Sequence, residues 1–103
     1  MEIGDKTVTR VEINDASNLS FVVVPAVSNN RIRIISYVVN VKTEDTITLS
    51  SDSEIIHKLF LGARSGYEYI GKPITLLSGE KLGITKETAN TNITGYVDYG
   101  YIK

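Results

Sequence analysis

Few residues in this chain could do chemistry, and their spacing argues against an active site. His57 is the only histidine, and cysteine is absent. One imidazole without thiols cannot assemble a His-based or thiolate metal centre, and a Ser-His-Asp triad needs a local nucleophile signal that is missing. The acidic residues Asp15, Glu44, Asp45, Asp52, Glu54 and Asp98 fall mostly in polar turns. Asp52-Ser53-Glu54 could offer oxygen ligands to calcium, but the spaced carboxylates and glycine of a calcium loop are lacking, so turn chemistry is the favoured reading. A glycosidase pair of carboxylates converges only in space, and no other catalytic signal accompanies one here. Gly62-Ala63-Arg64-Ser65-Gly66 lacks the Gly-Lys-Ser/Thr ending of a phosphate loop and a clear following helix, so it reads as a turn. The expectation is a protein that is not an enzyme and carries no cofactor or metal.

Tyrosine is the more informative residue. It supplies six of the eight aromatics: Tyr37, Tyr67, Tyr69, Tyr96, Tyr99 and Tyr101. Tyrosine suits positions with one end buried and the other wet, including subunit interfaces. Three readings stay open: rim filling of a β-sandwich, an oligomer interface, and a sugar-stacking platform. For the last, Tyr67 and Tyr69 are the candidates.

The elements that must hold these residues are strands. At 103 residues there is room for one domain, spanning 1–103. Roughly a third of the residues are Ile, Val or Thr and alanine is sparse, a strand composition. Net charge is −1 and the basic residues are scattered, which lacks the footprint of a nucleic-acid binder. The apolar runs are too short to span a membrane, and residues 1–6 have no signal-peptide pattern, so a soluble protein made in the cytoplasm is expected.

The longest strand-like run is Arg31 to Val41, RIRIISYVVNV. Alternation puts Ile32 and Ile34 on one side and Arg31 and Arg33 on the other. Its second half is apolar on both sides, which suggests a second buried surface such as another subunit. Before it, Lys6–Asn14 and Leu19–Val24 read as strands. After it, Thr46–Ser50 alternates and reads as the hairpin partner of the long strand. Residues 52–61 are ambiguous. Ser51 and Glu54 fit a helix capping box with Ile55, Ile56, Leu59 and Phe60 on one face, while composition and neighbours favour a strand over Ile55–Leu61. Short strands follow at Tyr67–Ile70, Ile74–Leu77 and Leu82–Thr85, then a last one over Asn92–Ile102. The total is about eight strands without βαβ alternation, hence an all-β antiparallel sandwich.

The segments RIRIISYVVNV, TITLSS, FLGARSGYEYI, SGEKLGIT and TNITGYVDYGYIK, together covering about residues 30–103, resemble small virion proteins of tailed bacteriophages. Gly79-Glu80-x-Leu82-x-Ile84 and Gly95-Tyr96-Val97-x-Tyr99 carry the likeness. The chain departs from it at Ser53–Lys58, where His57-Lys58 replaces small polar or Gly residues, and at Ile74–Leu77, where an aromatic is common. The resemblance implies a jelly-roll-like sandwich, usually homotrimeric, that decorates or cements a capsid or belongs to a fibre. The expectation is therefore a decoration protein on the virion's capsid surface, made in the host cytoplasm, with itself and the major capsid protein as partners. Residues 1–5 are a candidate N-terminal arm. Tyr37, Val39, Val41, Tyr99 and Tyr101 are the interface candidates. The alternative is a receptor- or carbohydrate-binding module of a tail or head fibre, with Tyr67 and Tyr69 meeting a host surface glycan.

Overall fold

A computed structural model describes residues 8–103; the expected arm at residues 1–5 lies outside them. Eight strands follow one another: β1 (Thr9–Asp15), β2 (Ser20–Val24), β3 (Arg31–Val41), β4 (Asp45–Ser50), β5 (Ile55–Leu61), β6 (Ser65–Thr75), β7 (Leu82–Lys86) and β8 (Ile93–Ile102). They form two four-stranded sheets, β1-β8-β3-β6 and β2-β7-β4-β5, and all pairings are antiparallel. The pairs β1·β8, β2·β7, β3·β6 and β4·β5 are the rungs of one long folded ladder. The extra pairs β3·β8 and β4·β7 roll that ladder up, which makes the sandwich a jelly roll.

In this topology only the β4–β5 connection stays within a sheet. The expected hairpin between β3 and β4 is therefore incorrect. Lys42 to Glu44 carries the chain from one sheet to the other, and β4 pairs with β5 and β7 instead. Residues 52–61 contain a strand and no helix. The helix-like signal at Ser51 has a physical origin. Its Oγ accepts from the amides of Ser53 (3.3 Å) and Glu54 (3.2 Å), as an N-cap would, but the turn so formed closes the β4–β5 hairpin. The two short strands expected over Tyr67–Leu77 are one edge strand interrupted by Gly71-Lys72-Pro73, whose register breaks there. Proline and a bulge on an edge hinder unwanted strand pairing.

The long strand β3 is where alternation fails. Ile34 pairs with Tyr99 and Ser36 with Asp98, so Ile35 is an extra residue. Such a bulge moves every later side chain to the opposite face. The inward set runs Ile32, Ile34, then Tyr37, Val39 and Val41, all buried. Burying each aliphatic side chain is worth about 1.5–3 kcal/mol, enough to hold this register. The second half is thus not apolar on two faces. Its outer positions are Ser36, Val38 and Asn40. β8 approaches β3 closely at Gly95, whose φ is +144° and where a Cβ would lie 1.9 Å from the Val38 carbonyl oxygen, so only glycine fits.

Candidate functional site

Four rings meet between the sheets along the β5–β6 side. Tyr37 comes from β3, Tyr67 and Tyr69 from β6, and His57 from β5. Tyr37 stacks on Tyr69 at 5.6 Å and 17° and lies 6.0 Å from Tyr67, with His57 5.2 Å from Tyr69. Burial, with the two neighbouring tyrosines adding to it, raises the Tyr37 phenol above its ordinary value, so it stays protonated. Tyr37 Oη and His57 Nδ1 share a hydrogen bond at 2.5 Å. The Tyr69 O–H donates to the Lys72 carbonyl at 2.6 Å and ties off the β6 bulge. Each aromatic pair contributes about 0.5–1.5 kcal/mol beyond its buried area. The cluster is a seam joining the two sheets. Tyr69 is held in it, and only Tyr67, 39% exposed, has much free surface, so the two do not make a matched stacking platform.

The interface candidates divide in the same way. Tyr37, Val39 and Val41 are core residues, turned inward by the bulge at Ile35, and cannot meet a partner. Tyr99 and Tyr101 are half-buried against the core, edge to face at 5.6 Å and 88°. The Tyr101 O–H donates to the Pro25 carbonyl at 2.6 Å, and burial followed by Tyr99 raises that phenol as well. On the outer face of the same sheet Arg10 lies 3.7 Å over Tyr96 and grips Asp98 with two nitrogens at 2.8 and 3.0 Å. Arg10 holds the Asp98 carboxyl below its ordinary value, against its burial. Solvent screens this exposed pair, so its contribution is small.

At the calcium candidate, Asp52 instead pairs with the Lys81 ammonium and accepts from the Lys81 amide at 3.1 Å. Ser53 donates to Glu80 at 2.9 Å. Among the described residues no group of three or more His, Asp or Glu side chains could hold a metal ion.

The end of the sandwich formed by the β1–β2, β3–β4, β5–β6 and β7–β8 connections carries two charged corners. In one, the Lys86 side chain is fully buried. Its Nζ meets Asp15 at 3.0 Å and the carbonyls of Ala89 and Thr91 at 3.0 and 2.8 Å. Asp45 accepts from the amides of Thr46, Glu87 and Thr88 at 2.8 to 3.3 Å. Burial works against the charged forms of Asp15 and Asp45. Lys86 and Asn18 outweigh it for Asp15, and Thr91 with those amides for Asp45, so both carboxyls sit below 3.8.

The second corner is a cavity of about 320 Å³ lined by Asn40, Lys42, Arg64, Ser65, Asn92 and Thr94. Backbone bonds tie its walls together: Arg64 N to Lys42 O at 3.2 Å and Lys42 N to Asn92 O at 3.1 Å. Arg64 sits at φ 58°, a left-handed conformation that only a few per cent of non-glycine residues adopt. Gly66 lets Asn40 close over it, since a Cβ there would stand 2.1 Å from Asn40 Oδ1. Sequence reasoning passed over these residues, because their segments converge only in three dimensions. The one local signal was Arg64 set between two glycines in a turn.

The fold places the chain among jelly-roll β-sandwiches. No protein-family model matches it, and no curated protein matches its sequence.

Proposed function

We propose that the protein is a non-enzymatic virion structural component that self-associates, expected as a homotrimer, and stabilises a phage head by binding the outer surface of the capsid. Jelly rolls recur in capsid and lectin domains, which fits this reading. The observation that carries it is the β5–β6 flank. There the edge strand of each sheet bears the most exposed large apolar side chains: Phe60 at 77% and Ile55 at 65% on the outer face of β5, and Ile70 at 75% on the outer face of β6, across the sandwich from them. Exposed large apolar groups suit a protein interface. The proposed interface thus moves from the centre of the long strand to Ile55, Phe60, Ile70 and the exposed part of Tyr67.

Two measurements test this. Sedimentation equilibrium should find an oligomer for the wild type and a folded monomer for Ile70→Asp. Co-sedimentation with expanded, DNA-free phage heads should pellet the wild type. A monomeric wild type at micromolar concentration that stays in the supernatant would contradict the proposal.

A further inference from the structure

We infer that the corner between Lys42 and Arg64 binds a carboxylate-bearing sugar residue, of the kind exposed on an acidic surface glycan. Among the described residues neither cation has an ion-pair partner, and no carboxylate lines the cavity. Two cationic residues lining an open pocket with no carboxylate in its lining favour an anion. The remaining lining groups select more than charge. Asn40 and Asn92 supply amides, Ser65 and Thr94 supply hydroxyls. Asn92 Oδ1 is a buried acceptor with no hydrogen-bond partner among the described residues. A buried acceptor without a partner is costly, and a sugar hydroxyl would satisfy it.

Size agrees with this. The open pocket's volume of about 320 Å³ lies at the small end of the ~300–1,000 Å³ range of ligand sites and leaves room for one sugar ring. The walls are preorganised by the Arg64–Lys42 and Lys42–Asn92 backbone bonds, and the Ser65 hydroxyl donates to the Gly62 carbonyl at 2.7 Å, which fixes the turn. Arg64 lines the pocket from a left-handed backbone position that glycine would occupy without strain. Because the cavity lies at one end of the sandwich, this inference does not rest on self-association or capsid binding.

Isothermal titration of the full chain with D-glucuronate, D-glucose and inorganic phosphate tests it. Glucuronate should bind at least tenfold more tightly than either of the others. Arg64→Gly should weaken glucuronate at least tenfold while the thermal midpoint stays level or rises, and Lys42→Ala should weaken it with the fold intact. Phosphate binding as tightly as glucuronate would reduce the corner to a general anion patch and overturn the inference. So would no binding of glucuronate to the folded wild type. An Arg64→Gly chain that loses stability and keeps its affinity would assign Arg64 a structural role instead.

Discussion

The two charged corners at one end of the sandwich use the same residue types to opposite ends. Lys86 is enclosed and meets one carboxylate and two carbonyls, while Asp45 beside it is met by three backbone amides. Lys42 and Arg64 line a pocket with no counter-charge among the described residues. A buried charge is tolerated when it is paired and hydrogen-bonded, and it then fixes the path of the chain around it. An unpaired cation on a rigid wall does nothing for the fold and is left for a ligand. The lesson is that partners, and not residue type, separate a charge that builds from one that binds.

The comparison breaks most visibly at Lys86. Lys86→Ala leaves Asp15 without its cation and two carbonyls without a donor, and should cost about 3–5 kcal/mol in urea unfolding, a large part of the stability of a small domain. A milder change in the same corner, Asp45→Asn, keeps the shape but weakens bonds to three amides, and should cost about 1–3 kcal/mol. The pH profile sharpens the assignment. Asp15 and Asp45 titrate below 3.8 in the folded chain, so the unfolded chain binds more protons in that range. Their contribution is present above about pH 4 and is lost as pH falls through the folded values. Asp45→Asn should therefore flatten the acid limb of a stability–pH curve and leave neutral pH dependence unchanged. In the open corner, Lys42→Ala should change stability by less than about 0.5 kcal/mol, the ordinary range for a surface position.

What the sequence made legible follows from how local each signal is. Strand count and class came from composition and turns, and the last strand, expected over 92–102, forms over Ile93–Ile102. The face assignments in β3 were not legible, because apolar residues at Ile34, Ile35, Tyr37, Val38 and Val39 permit either parity and hide the bulge. That one residue moved Tyr37, Val39 and Val41 from a supposed interface into the core. Ser51 offered hydrogen bonds common to a helix cap and a hairpin turn, and only the pairing of β4 with β5 separates the two. Neither corner could be read along the chain. Lys86 meets Asp15 across 71 positions, and Lys42, Arg64 and Asn92 come together only through the rolled topology.

The most direct test of the contrast between the corners is a residue-by-residue amide chemical-shift titration of the wild-type chain with D-glucuronate. Shifts should concentrate at residues 40–42, 64–66 and 92–94 and be absent at Asp15, Asp45 and 86–91. Shifts centred on Asp15 and Lys86, or spread evenly over scattered surface lysines, would contradict the account.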